Sequence, residues 1–160
     1  MIETELKFLP KNDEWRPQAM RHVMIKQGYF TRAEGYNVRV RIIDNKSAKL
    51  TIKSKKLASG ISRYEFEYPI PLEDAETMMA EFCGGRIVEK TRHYVNFAGH
   101  CWEVDEFFGA NEGLVVAEIE LQKEHETFEK PDWAGEDVTA DNRYGNQNLA
   151  DKPFREWKSK

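Results

Sequence analysis

Glu3-Thr4-Glu5-Leu6-Lys7 is the stretch on which the reading of this chain turns. In an extended strand successive side chains point to opposite faces. Glu3, Glu5 and Lys7 therefore share one face, while Ile2, Thr4, Leu6 and Phe8 take the other. Alone, two carboxylates and an ammonium along roughly 14 Å of strand, at about 3.3 Å per residue, make a solvated face and nothing more. The same two-residue rhythm of like charges returns at Arg39/Arg41, Lys53/Lys55, Glu65/Glu67, Lys90/Arg92, Glu103/Asp105 and Glu118/Glu120.

Between these charges the residues are apolar or aromatic: Val38/Val40, Leu50/Ile52, Tyr64/Phe66, Trp102/Val104 and Ala117/Ile119/Leu121. The alternation predicts eight strands, beginning with the N-terminal one and continuing at 22–30, 36–44, 48–55, 63–70, 87–97, 102–108 and 114–121. Asp44-Asn45-Lys46-Ser47 and Ala98-Gly99-His100 have hairpin-turn composition, and Ala58-Ser59-Gly60 is a loop. A short helix is expected over Asn12–Met20, capped by Asn12 or Asp13 with Pro17 in its first turns. A second, opened by Pro71, is expected over Glu73–Cys83, with Ala75, Met78, Met79 and Phe82 at helical spacing and Gly84-Gly85 as its stop. Past Leu121 the chain reads as irregular and helical, through Pro131-Asp132-Trp133 and a capped segment near 139–149. Short antiparallel connections between so many strands predict a mainly β (α+β) fold. A sheet of that size tends to curl or close, and the helices can cover one side. The apolar faces must be covered by those helices or by the C-terminal segment.

Composition bounds the partners. The 160 residues, 40% hydrophobic and 32% charged, suit one globular domain spanning 1–160. A net charge of −4 supplies no overall basic field, so no nucleic-acid partner is expected, and any anion site must be a local gathering of Lys and Arg. The two cysteines, Cys83 and Cys101, make neither a disulfide framework nor a zinc motif, which points to a reducing cytoplasm. No apolar signal core or run of about 20 apolar residues appears, so a cytoplasmic, unanchored protein is expected; oligomeric state is left open.

Two readings of the charged rows follow. In one the sheet turns its apolar face to the core and its charged face to water. In the other it closes with the charges inward. The second explains why like charges recur on one face of strand after strand, where they would otherwise repel. A lumen of that kind is unstable if dry, because each unpaired ion costs several kcal/mol to desolvate. It must hold ligands of both signs. Carboxylates in such numbers suit a hard cation such as Mg²⁺ or Mn²⁺, and paired guanidiniums with lysines suit phosphate oxygens. A metal-bound polyphosphate satisfies both.

The opening ExExK pattern resembles the signature of the CYTH superfamily, the triphosphate tunnel metalloenzymes, and the chain is similar to its short bacterial members. The similarity runs from about Met1 to Pro153 in family order, through Gln27-Gly28-Tyr29, Val38-Arg39-Val40-Arg41, Leu50-Thr51-Ile52-Lys53, Tyr64-Glu65-Phe66-Glu67-Tyr68, Glu89-Lys90-Thr91-Arg92, Trp102-Glu103-Val104-Asp105-Glu106-Phe107, Ala117-Glu118-Ile119-Glu120-Leu121 and Asp137-Val138-Thr139 with Arg143-Tyr144. Ser54 departs from the pattern, where a glycine often follows the lysine. The resemblance implies a closed eight-stranded antiparallel β-barrel forming a tunnel, with the helices packed outside, and Mg²⁺- or Mn²⁺-dependent hydrolysis of a triphosphate, most often inorganic tripolyphosphate. It implies metal ligation by Glu3, Glu5, Glu118 and Glu120 with help from Glu67, and phosphate binding by Lys7, Arg39, Arg41, Lys53, Lys90 and Arg92. Glu3 and Glu5 would also activate the attacking water. Glu103 and Asp105 either touch metal or orient bases; Glu65 and Tyr29 are further candidates; Lys55 and Arg63 are expected at a tunnel mouth, the four histidines on the surface, and the Arg143-Tyr144 segment over one end. Class IV adenylate cyclases, thiamine triphosphatases and a non-catalytic triphosphate-binding regulator are the alternatives. Against the cyclase, few uncharged polar groups able to read a base are expected inside.

Overall fold

The computed structural model describes residues 1–30 and 34–157. Its strands are β1 (Ile2–Pro10), β2 (Arg21–Tyr29), β3 (Tyr36–Ile43), β4 (Ser47–Ser54), β5 (Ser62–Ile70), β6 (Ile87–Phe97), β7 (His100–Phe107), β8 (Val115–Leu121) and β9 (Ala134–Asp137). Two α-helices, α1 (Leu72–Phe82) and α2 (Asn146–Asp151), accompany them. All pairings are antiparallel, in the order β5-β4-β3-β2-β6-β7-β8-β1, and β1 returns to β5 to close the ring. The sheet is thus an eight-stranded barrel. The closing seam is short, with Ile2↔Tyr64, Glu3↔Arg63 and Thr4↔Ser62 as its register. The remainder of that edge of β1 is taken by β9, through Phe8↔Asp137 and Pro10↔Ala134, a ninth strand that sequence alternation is too short to reveal.

Local chemistry sets the corners. Asp44 and Asn45 both hold positive φ (53° and 55°), a left-handed geometry that short polar side chains tolerate best, at the centre of a tight turn closed by the Lys46 N–H donating to Ile43 O at 3.0 Å. Gly28 is required by close approach: a Cβ there would lie 2.6 Å from Cys83 Sγ, so the β2 backbone could not seat the end of α1. The helix expected over 12–20 does not form. Asn12 Oδ1 instead accepts the Glu14 N–H at 2.9 Å, a local turn that competes with helical bonding, and only Arg16–Gln18 makes a 3-10 turn. That turn sinks Trp15 completely into the core.

The apolar faces are covered in two sectors. Outside β6, β7, β8 and β1, Trp102, Val104, Ala117, Ile119 and Leu121 pack with Trp15, Trp133 and Phe128. Outside β3 and β4, Val40, Ile42 and Ala48 pack under Ala75, Met79 and Cys83 of α1 and its end. Glu73 and Asp74 in the first turn of α1 favour its positive pole. Tyr64, Phe66 and Ile52 depart from expectation: no described helix covers them and they stay exposed. The C-terminal segment does not lie over the outside of the sheet. It plugs one end of the barrel, because the inward rows turn apolar there: Lys90 gives way to Val88, Asp105 to Phe107 and Glu118 to Val116. These meet Leu149, Tyr144, Phe154 and Trp157.

Trp102 is fully buried, with ring centroids of Phe8, Trp133 and Phe128 at 5.5, 5.6 and 6.0 Å. Trp102→Ala should cost about 3–5 kcal/mol of unfolding free energy, measured by urea denaturation, from lost apolar transfer and the cavity left behind.

Candidate active site

Because β-strand parity carries all the charged rows to the same side, ring closure turns them toward one another. They enclose a cavity of about 310 Å³. Glu3, Glu5, Lys7, Tyr29, Arg39, Arg41, Lys53, Arg63, Glu65, Glu67, Arg92, Glu103, Glu118 and Glu120 all line it. The inward reading of the charges is the one the fold adopts.

Pairing between neighbouring strands stabilises the interior. Lys7 Nζ on β1 donates to Glu118 Oε2 on β8 at 2.8 Å and approaches Glu5 Oε1 at 3.3 Å. Lys53 Nζ donates to both oxygens of Glu3, at 3.0 and 3.1 Å, and lies 3.4 Å from Glu65. Arg92 makes a two-point contact with Asp105 (2.8 and 2.9 Å) and reaches Glu118 at 3.4 Å and Glu103 at 3.3 Å. Burial alone would push the Glu3 carboxyl up; Lys53 and then Arg63 more than offset it and hold it at about 2. Glu118 is likewise driven well below the carboxylate range by Lys7 and Arg92, against the opposing effect of burial. Thr51 donates to Glu67 at 2.8 Å, and Arg39 and Lys49 stand 3.5 and 3.6 Å from it.

Lys90 and Asp105 behave differently from the rest. Both side chains are fully buried and neither lines the cavity. The Lys90 ammonium donates to Asp105 Oδ2 at 2.8 Å and to Asn146 Oδ1 at 2.9 Å, with the Phe107 ring 5.5 Å away. Asp105 therefore orients two bases, Arg92 and Lys90. Burial, reinforced by Arg92 and Arg41, pushes the ammonium of Lys90 below its usual value, and the Asp105 contact works against this shift. Tyr29 is buried, its hydroxyl 2.9 Å from Gln27 Nε2, whose own amide oxygen accepts from Arg41 Nε at 2.8 Å.

Two groups are left out of the pairing, with opposite signs. Arg41 has no ion pair among the described residues. Burial, then Arg39 and Arg92, pushes it down to about 10, still cationic at neutral pH. The buried Nε of its neighbour Arg39 has no hydrogen-bond acceptor. Glu120, exposed toward the cavity, has no cationic partner among the described residues. Burial, then Glu3, Glu5, Glu103 and Glu65, pushes it up to about 7. Glu5 and Glu120 are direct cross-strand partners, an arrangement of like charges that favours a cation between them. Among the described residues no three acidic, cysteine or histidine side chains converge as a ready ligand cluster, since most carboxylates are engaged by lysine or arginine. The donor chemistry, all carboxylate oxygen with surplus negative charge at Glu120, fits a hard divalent cation.

A closed barrel whose ExExK strand lies beside the paired glutamates Glu118 and Glu120 has known counterparts. A CYTH domain profile matches residues 1–152. The chain belongs to the CYTH family. It is 44% identical over 156 residues to an inorganic triphosphatase of Acetivibrio thermocellus, covering 98% of this chain and 97% of the relative. It is 36% identical over 155 residues to an inorganic triphosphatase of Nitrosomonas europaea, covering 94% and 97%. The solved structure of the inorganic triphosphatase NE1496 superposes with a TM-score of 0.66 at 32% identity, covering 92% of this chain and 93% of that one.

Within this CYTH barrel the sequence missed one whole wall. Asn142, Asn146, Gln147 and Asn148 line the cavity beside Asn37 and Thr139, so uncharged polar groups are more numerous than expected. They come from the C-terminal plug, which strand parity does not reach. The amides are largely engaged by the chain itself: Asn146 by Lys90, and Asn148 by the backbone carbonyl of Asn142. Lys56, which donates to Thr139 O at 3.1 Å, is a further cation in the wall, and the exposed Lys55 borders an adjoining recess with Arg63. No histidine lines the cavity; His93 and His100 pair with Glu106 and Glu126 elsewhere. No described helix is long and apolar enough to cross a membrane.

A carboxyl whose folded pKa exceeds its unfolded value lowers stability increasingly as pH rises between the two, here from 4.5 to about 7, and by a constant amount above. In metal-free protein, Glu120→Gln should therefore raise the thermal midpoint at pH 8 and leave it nearly unchanged at pH 5, read by scanning calorimetry. The gain should be small, because water reaches this carboxylate.

Proposed function

We propose that this protein is a divalent-metal-dependent inorganic triphosphatase that hydrolyses tripolyphosphate to pyrophosphate and phosphate inside its barrel. The observation that carries the reading is the pair of opposite electrostatic deficits in one cavity: among the described residues, Arg41 has no anionic partner and Glu120 no cationic one. A short inorganic chain bearing a metal answers both at once. Its length suits a space of about 310 Å³ whose floor is a closed plug.

The cationic wall of Arg39, Arg41, Lys53, Arg92 and Lys7 binds the phosphate oxygens. Guanidiniums fix orientation by two-point contacts and ammoniums add point charge. Glu118 and Glu120 of β8, with Glu3 and Glu5 of β1, hold Mg²⁺ or Mn²⁺, and Glu67 assists. When bound, the ion polarises phosphoryl oxygens and lowers the pKa of a coordinated water. Glu3 starts out bonded to Lys53 and Arg63, which makes it a poor proton acceptor. Incoming phosphates compete for those two cations, freeing the Glu3 carboxylate to act with Glu5 in orienting the attacking water and taking its proton. Lys90, recessed behind Asp105 and Asn146, supports this wall by holding Asp105, which in turn presents Arg92.

Incubation with Mg²⁺ or Mn²⁺ and tripolyphosphate, ATP or thiamine triphosphate separates the alternatives. Fast phosphate release from tripolyphosphate and little from ATP is expected. Cyclic AMP as the principal product would make the protein a cyclase, and the absence of turnover on all three would make it a binder. Glu120→Gln should lower kcat at least about 100-fold, a drop of roughly 2.7 kcal/mol in transition-state stabilisation. Arg41→Ala should chiefly raise KM, about ten- to a hundredfold, for the loss of a charge-assisted contact worth ~1.5–3 kcal/mol. Full activity in Glu120→Gln would remove the metal assignment.

A further inference from the structure

Most strands of the barrel bring a row of charge into the lumen, and β2 is the exception. From Val23 to Tyr29 its inward row is Val23, Ile25, Gln27 and Tyr29. In register, Gln27 stands directly opposite Arg41 of β3, and Tyr29 opposite Arg39. Gln27 is wholly buried and does not line the cavity, whereas Tyr29, Arg39 and Arg41 do. A buried amide must have its hydrogen bonds made, and this one is engaged on both sides. Its Oε1 accepts from Arg41 Nε at 2.8 Å, and its Nε2 donates to the Tyr29 hydroxyl at 2.9 Å. Chemistry fixes that orientation: a guanidinium only donates, so the amide oxygen has to face Arg41. The Tyr29 hydroxyl is in turn a side-chain hydrogen-bond partner of Arg39.

The neutrality of this support sets it apart. Lys7, Lys53, Arg63 and Arg92 each meet a carboxylate, at 2.8, 3.0, 3.4 and 2.8 Å respectively. Those carboxylates fix their cations but cancel much of the field, and an incoming anion has to displace them. We propose that Gln27 is a positioning residue, holding Arg41 aligned toward the lumen without compensating its charge, and so setting how tightly the phosphate chain is captured. The inference rests on the triphosphate reading of the cavity. With Nε–H occupied by Gln27, the two terminal nitrogens of Arg41 keep their N–H groups for a two-point contact with phosphate oxygens. A carboxylate in place of the amide would align the guanidinium equally well and neutralise it. An apolar side chain would leave the charge but lose the aim, stranding a donor without its acceptor.

Two substitutions separate these effects. Gln27→Met keeps the length and removes the acceptor; Gln27→Glu keeps the acceptor and adds the charge. Both are read by calorimetric titration with tripolyphosphate in EDTA and by steady-state hydrolysis with Mg²⁺ or Mn²⁺. Each should weaken binding and raise KM at least about tenfold, while kcat stays within about twofold of the parent. In an Arg41→Ala background, Gln27→Met should add no more than about a further twofold, because the two residues act as a unit. A measurement on the parent accompanies these: the Nε–H resonance of Arg41, identified by its loss in Arg41→Lys, should exchange slowly with water. If Gln27→Met does not fold, Gln27→Glu and the exchange measurement decide. Parent-like affinity in either Gln27 variant overturns the proposal, as does an undiminished effect of Gln27→Met in Arg41→Ala or rapid exchange of that proton, even where the parent hydrolyses tripolyphosphate. A parent that binds tripolyphosphate without turnover removes the triphosphatase and leaves the Gln27 assignment standing; one that neither binds nor hydrolyses removes both.

Discussion

The interaction on which everything else rests is the cross-strand pairing of ions inside a closed barrel. Taking a carboxylate or ammonium out of water costs several kcal/mol, and a ring of strands with charged inner faces incurs that cost many times over. It is offset because the contiguous acid-bearing strands β7, β8, β1 and β5 meet base-bearing strands at both borders, β6 on one side and β4 on the other, and carry Lys7 among them. The bases of β6 face the acids of β7, the acids of β8 face Lys7 of β1, and Lys53 of β4 meets Glu3 across the seam. Shift any strand by one residue and its row leaves the lumen for the outer face, where the apolar row would take its place inside. Register, closure and charge thus enforce one another.

That network is strongest where no ligand goes and weakest where one is needed. Asp105 and Lys90 form a dry, mutually satisfied pair against the apolar plug, and Asp105 ties Arg92 of the cavity wall to it. Farther along the lumen the pairing becomes incomplete, with acids crowded around Glu120 and bases around Arg41. An interior built entirely of matched pairs would be more stable and would bind nothing. Activity of the kind proposed depends on leaving both kinds of charge unmatched within reach of the same substrate, a local sacrifice of stability of the sort expected at functional sites.

The outside of the barrel is asymmetric. The segment 11–20, the stretch 122–133 and α1 supply enough apolar surface for two sectors, with Trp15, Trp133 and Phe128 on one and Met79 and Cys83 on the other. The C-terminal segment is spent inside, sealing the lumen, and Ile52, Tyr64 and Phe66 stay uncovered by any described helix.

Much of this was legible in the sequence, because strand parity is a local property. Alternation over a handful of residues decides which side chains share a face, and repetition in seven of the eight barrel strands set an enclosed charged lumen level with a solvated sheet as the reading of Glu3-Thr4-Glu5-Leu6-Lys7. Parity does not say which acid meets which base, nor how deep each lies. Glu118 meeting Lys7, Lys90 withdrawn behind Asp105, and Glu120 left among acids are decided by pairings more than 100 residues apart in some cases and by the stagger of the closed ring. The 12–20 segment escaped because a side-chain turn at Asn12 outcompeted helical bonding, and the amide wall because Asn142 to Asn148 reach the cavity through an irregular plug with no period to read. The sequence by itself determined which residues face inward; the tertiary structure alone decided which of them remain unpaired, since the field at each charge is set by neighbours that only closure brings together.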